Sequence, residues 1–282
     1  MIFVMKKHSK KGIFGILGTL IITMLILGCS TDQDIEINSF EDLNNIHPTI
    51  ALDETFGVTQ KMKELMPNCK IAYYDDAVTA LKNIESNKWQ GFLAPQEVAI
   101  EALKSRKYDI KILDEVVNEI DCALGLSTKS SIPNYVERVN AVINEFKADG
   151  TMSMIYDNWF TLDSEMRMPT FAPKQNVPTI KCVTYGQQKP CSYFEGKELK
   201  GFDIELAARV ADKMNCNITF DTAPFPSMLV GLSVGTYDMI SSNLFITNDS
   251  QGSFNFSEVT SKSKIRMVVR DKKGNKLKEN YE

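Results

Sequence analysis

Apolar residues recur along this chain with two alternating periods. Short apolar runs at 49–52, 70–74, 91–93, 110–113 and 122–126 read as strands, and the stretches between several of them carry helical spacing. A helix is predicted over 77–85 with Val78, Leu81 and Ile84 on one face, and others over 57–66 and 97–105. Strands separated by helices of this length pair in parallel through right-handed crossovers. Residues 133–160 then read as two helices. The first aligns Val136, Val139, Val142, Ile143 and Phe146 in one stripe and stops at Asp149-Gly150, and the second ends at Trp159-Phe160. That stripe is core packing rather than a cofactor box.

The stretch 161–178 holds Pro169, Pro173 and Pro178 with little periodicity, which marks a linker at 169–178. Behind it the alternation restarts. A strand is predicted over 179–185, a helix over 204–214 capped by Asp203, a strand over 217–220, a short helix over 227–233, a strand over 237–241 and a last strand over 264–270. A charged tail occupies 271–282. The predicted fold class is therefore α/β, with two domains, 40–168 and 179–270, each a mostly parallel sheet flanked by helices.

The N-terminus departs from this pattern. Residues 6–11 (KKHSKK) are basic, 13–28 are uncharged and mainly apolar, and the run ends in Leu27-Gly28-Cys29-Ser30. This is a secretory signal layout, short for a spanning helix, which needs about 20 residues. A small residue directly before a cysteine resembles a bacterial lipobox. On that resemblance 1–28 is a lipoprotein signal peptide, Cys29 is the lipidated residue, and 29–39 is a polar tether holding the rest outside the cytoplasm at a membrane.

Charge and rare residues narrow the chemistry. From Cys29 onward the chain carries 28 basic and 36 acidic residues, a balance unsuited to nucleic acid. With only His8 and His47, sites that need a histidine pair or triad have nothing to build on. The acid pairs Asp75-Asp76 and Glu115 with Glu119 read as helix-start and solvated-face charges, so an enzyme is not expected. Cys69, Cys122, Cys182, Cys191 and Cys216 form no CxxC pair and imply no metal site. Cys182 and Cys216 could pair in an exported protein, while buried free thiols remain the alternative for most of the five.

An ordered series in the second half carries a family signal. It runs Pro190, Gly201-Phe202-Asp203-Ile204-Glu205-Leu206-Ala207, Gly231-Leu232-Ser233-Val234-Gly235-Thr236-Tyr237-Asp238, Ile246-Thr247 and Phe256-Ser257. This series resembles the first lobe of family 3 extracellular solute-binding proteins, the amino-acid receptors of ABC importers. The first half resembles their second lobe through Phe40-Glu41-Asp42-Leu43, Tyr73-Tyr74-Asp75 and the ending from Phe146 to Trp159-Phe160. The halves stand in the reverse of the family order. Either a circularly permuted clamshell or a segment of a tandem receptor would read this way.

What the resemblance implies is a solute held between two lobes of a periplasmic binding protein type II fold, with no cofactor and an ABC permease as partner. Phe225 matches an aromatic wall position of the family. The carboxylate-binding Arg position falls on Ser250, the ammonium-binding Asp position on Pro95, and the turn after the first strand reads Glu54-Thr55-Phe56. The usual clamp on a zwitterion is thus absent. Tyr185, Gln188, Phe225, Ser242, Asn243, Phe245, Thr247 and Ser250, with Glu54, Thr55 and Phe56, remain at matched positions. They suit a neutral or cationic solute. Phe225, Asn243 and Thr247 are the strongest candidates for ligand contact. For the rest, packing and turn roles compete equally, and a degenerate sensory or protein-interaction module without ligand is the alternative.

Overall fold

The computed structural model describes residues 36–161, 164–246 and 254–271. The expected signal peptide, Cys29, most of the tether, Thr247, Ser250 and nearly all of the charged tail lie outside the described residues.

The α/β class is as expected, built on one mixed sheet whose path runs β2-β1-β3-β12-β4-β10-β5-β9. Strands β1 (Thr49–Leu52), β2 (Lys70–Tyr73) and β3 (Gly91–Pro95) form a parallel trio. A second parallel trio joins β5 (Thr179–Thr184), β9 (Asn217–Thr222) and β10 (Met239–Phe245). Two long antiparallel strands, β4 (Ile110–Leu126) and β12 (Ser261–Arg270), link the trios. The short strand β11 (Asn255–Phe256) pairs with β4.

The sequence pattern shows β4 as two separate runs, 110–113 and 122–126. In the fold they are one strand. Residues 114–121 read Asp-Glu-Val-Val-Asn-Glu-Ile-Asp, so paired polar residues break the apolar run and mask the continuity of the strand. Val117 and Ile120 are buried between them.

Helices cover both faces of each trio. On the first, α1 (Phe40–Asn45) and α2 (Thr59–Leu65) pack on one side, α3 (Ala77–Glu85) and α4 (Gln96–Lys104) on the other. The α3 stripe is shifted from the expected one: Ala80, Leu81 and Ile84 are buried while Val78 is exposed. Asp76, accepting from the Thr79 amide at 2.9 Å, fixes the start of that helix.

On the second trio, α5 (Tyr135–Ala148), α6 (Thr151–Phe160) and α7 (Phe202–Lys213) share a core with Leu124, Leu126, Ile180 and Met239. The break between α5 and α6 falls at Gly150, φ +84°, a conformation glycine adopts without strain. Helix α8 (Phe225–Val234) covers the opposite face through Met228 and Leu232.

Chain order and sheet order therefore differ. The segment 122–160 precedes the proline-rich stretch in sequence yet packs with the second trio. Strand β12, at the far end of the chain, lies beside β3. A small sheet of β6 (Gln187–Gln188), β7 (Ser192–Glu195) and β8 (Glu198–Lys200), not foreseen from the pattern, precedes α7.

Cys182 and Cys216 are both free thiols, as are Cys69, Cys122 and Cys191. Asp203 does not cap α7. Gly201 holds the cap position without a side-chain bond, and Asp203 turns inward from the first turn. Gly201 is required there: at φ +131°, a Cβ would stand 2.1 Å from the Cys191 carbonyl oxygen.

Candidate functional site

Register places the trios' business ends opposite each other. The last residue of β3, Pro95, pairs with Ile265, which in turn pairs with Asn118 of β4. The last residue of β10, Phe245, pairs with Cys122. The C-terminal edges of both trios thus converge on residues 118–122 of β4. In open α/β sheets the crevice beyond these edges is where ligands gather, because strands end there and helices begin.

The second trio contributes most of the expected residues to this edge. Tyr185 follows β5 and its amide donates to Ser242 Oγ at 3.2 Å, tying the ends of β5 and β10 together. Phe225 opens α8 just past the end of β9, and Tyr185 and Phe225 keep 40 % and 44 % of their surfaces exposed.

Asn243 adopts the left-handed region with φ +44°. Its amide donates to Asp203 Oδ1 at 3.0 Å, and Ser241 Oγ donates to the Asp203 carbonyl at 2.8 Å. The start of α7 therefore shapes the stretch 241–243, a role for Asp203 that the expectation of a helix cap missed. Gln188, half-buried in β6, pairs with Ser192 in the small sheet rather than along the β10 edge.

The first trio contributes a short 3-10 turn, Glu54–Phe56, after β1. Asp53 accepts from the Thr55 amide at 2.9 Å and from Thr55 Oγ1 at 2.7 Å, and Gly57 closes the turn at φ +63°. Glu54 and Thr55 stay exposed, whereas Phe56 is buried and packs against Phe245 of the second trio. Phe56 and Phe245 thus serve the apolar core that bridges the two edges.

No arginine of α7 reaches this edge. Arg209 Nε donates to Glu205 Oε1 at 2.7 Å, and Glu205 Oε2 accepts from Trp159 Nε1 and Asn158 Nδ2, each at 2.8 Å. That arrangement fastens α6 to α7 and leaves Arg209 a structural task.

Two buried carboxyls near these strand ends were not anticipated. Glu97, in the first turn of α4, is 4 % exposed and accepts from Ser263 Oγ of β12 at 3.1 Å. Asp203 is 3 % exposed and its Oδ2 has no hydrogen-bond partner. Loss of water, the dominant cause, pushes each up to about 7. The Ser263 hydroxyl and the charge of Lys264 pull Glu97 partly back, while the charge of Glu97 pushes Asp203 higher. Sequence alone gave little notice, since an acid in the first turn of a helix ordinarily faces solvent. The one available signal was Glu205 and Asp203 flanked on both sides by apolar residues.

Comparison with known proteins gives partial matches. Residues 180–280 match the model of bacterial extracellular solute-binding proteins, family 3. The chain is 28% identical over 97 residues to the probable amino-acid-binding protein YxeM of Bacillus subtilis, which covers 34% of this chain and 37% of that protein. It is 34% identical over 64 residues to the arginine-binding periplasmic protein of Mannheimia haemolytica, 23% of this chain and 27% of that one. The chain spans about a third of the length of these curated relatives. Among solved structures, a periplasmic substrate-binding protein of an ABC transporter from Coxiella burnetii aligns over 83% of this chain and 88% of its own, at 9% identity and a TM-score of 0.46. The segment 180–280 is thus the part of the chain that is similar to the family 3 solute-binding proteins.

Proposed function

We propose that this protein is a lipid-anchored extracytoplasmic solute-binding protein of an ABC-type importer. It takes an amino acid or a related small polar or cationic solute in the crevice between two lobes. One lobe is built on the β1–β3 trio and the other on the β5, β9, β10 trio, and they close about β4 and β12. The convergence of both C-terminal strand edges on residues 118–122 carries this reading. Neutral polar groups and two exposed rings, Tyr185 and Phe225, favour a neutral or cationic solute, because a ring face attracts cations. With Arg209 committed to Glu205, a buried ligand carboxylate would lack its partner, at a cost of several kcal/mol.

Lipid attachment at Cys29 and an ABC permease partner complete the proposal. The lipobox-like Leu27-Gly28-Cys29-Ser30 supports the anchor. Among the described residues, no helix is long and apolar enough to cross a membrane.

The Phe56–Phe245 contact favours a second reading, a module whose crevice is filled by its own side chains and which contacts a protein instead. Thermal unfolding against a panel of amino acids and polyamines separates the two. A receptor at a hundredfold excess over Kd gains about 2.7 kcal/mol, and a filled crevice gains nothing with any member.

A further inference from the structure

Helix α4 meets the second lobe through one polar face. Glu97, Glu101 and Lys104 follow the i, i+4, i+7 spacing that aligns side chains along a helix. Glu101 Oε1 lies 2.7 Å from Lys189 Nζ. Lys104 Nζ donates to the Thr161 carbonyl at 2.6 Å and lies 2.9 Å from Ser164 Oγ. Lys189, Thr161 and Ser164 all belong to segments that flank the β5, β9, β10 trio. Glu97, at the crevice end of the same face, is buried.

The surroundings of Glu97 divide by origin. Ser263 and Lys264 lie on β12, which borders β3 and so stays with α4. Tyr156 of α6, Cys191 before β7 and Asp203 of α7 come from the other lobe, with Cys122 on β4. Tyr156, Cys191 and Cys122 are each pushed above their ordinary values chiefly by burial, so thiols and phenol stay neutral at physiological pH. The groups that can carry charge here are the two carboxyls and Lys264.

We propose that Glu97 is a proton-linked contact between the lobes: closing the crevice removes water from its carboxylate opposite Asp203, and the carboxylate takes up one proton from solvent. No other bond changes. Opening returns Glu97 to water and releases the proton. Acid therefore favours the closed form, and solute capture is coupled to pH even when the solute itself does not titrate. This inference rests on the two-lobe reading above.

Small-angle X-ray scattering of the full chain from pH 5 to 8, without solute, tests it. The radius of gyration is expected to rise as pH increases through about 7, with the closed-to-open ratio changing by up to about tenfold per pH unit, the limit for one linked proton. Glu97→Gln mimics the protonated group and is expected to stay compact across the range. Asp203→Asn removes the opposing charge and is expected to move the transition to lower pH. A radius independent of pH in the wild type, an unchanged midpoint in Glu97→Gln, or an unmoved midpoint in Asp203→Asn overturns the proposal. Compaction by solute at fixed pH, with no response to pH, would sink the proton link and leave the two-lobe reading standing.

Discussion

The ring centroids of Phe56 and Phe245 lie 6.2 Å apart with their planes inclined at 58°. Phe56 ends the turn after β1, Phe245 ends β10, and the contact is an apolar link between the two trios. Phe56 is buried in the core of the first trio, so Phe56→Ala is expected to cost about 3–5 kcal/mol, while half-buried Phe245→Ala costs less. Urea unfolding of both single variants and the double variant should return a coupling of about 0.5–1.5 kcal/mol. A coupling of zero would mean that the rings touch without holding the halves together.

Phe225 offers the opposite profile. Nearly half its surface is open and it opens α8 instead of filling the core. Phe225→Ala is expected to leave the urea midpoint within error and to weaken binding of a cationic solute found in the thermal panel. A lost ring–cation contact of about 1–2 kcal/mol corresponds to roughly 5- to 30-fold in Kd, read by calorimetry. Equal affinity in the variant would remove Phe225 from the site.

Glu205 is a carboxylate buried by design of the α6–α7 contact. Three donors, from Trp159, Asn158 and Arg209, converge on its two oxygens. Removing a buried partner strands the others, so Glu205→Ala is expected to destabilise by about 3–5 kcal/mol. Glu205→Gln keeps the shape and one acceptor and is expected to lose less. Chemical denaturation orders the two, and a milder effect for Ala than for Gln would contradict the assigned role.

How far the sequence discloses this protein depends on which physical signal each residue carries. The helices and parallel trios are legible because burial imposes period and caps impose boundaries, as Asp76 and Gly150 do. Strand β4 hides because Asp114-Glu115, Asn118-Glu119 and Asp121 interrupt an otherwise apolar run. The reach of 122–160 into the second trio is invisible to local patterning, since only long-range pairing of Leu126 with Met239 decides it. Of the candidate site residues, Tyr185, Phe225, Ser242 and Asn243 lie in or just past strand ends of the second trio. Gln188 is not, and Phe56 and Phe245 pack where ligand contact competed with packing. Glu97 and Asp203 escape notice because their burial depends on what faces them from other elements.

Those two carboxyls also set the pH dependence of stability. Both are pushed up to about 7 in the fold, against ordinary values near 4 in the unfolded chain. Between these limits the folded state holds more protons than the unfolded state, so stability falls as pH rises. Their contribution is complete below about pH 4 and is lost as pH climbs through 7. Asp42, Asp76 and Asp149 act in the other direction. Hydrogen bonds from Ser39, Thr79, Thr151 and the amide of Asn38 hold their carboxyls below the usual range, so that contribution fades only in stronger acid. The urea midpoint is therefore expected to peak near pH 4 and to decline toward pH 7. Replacing both carboxyls, Glu97→Gln with Asp203→Asn, should flatten the decline between about pH 4 and 7 and leave the acid limb in place. A decline of unchanged slope in that double variant would assign the pH dependence to other groups.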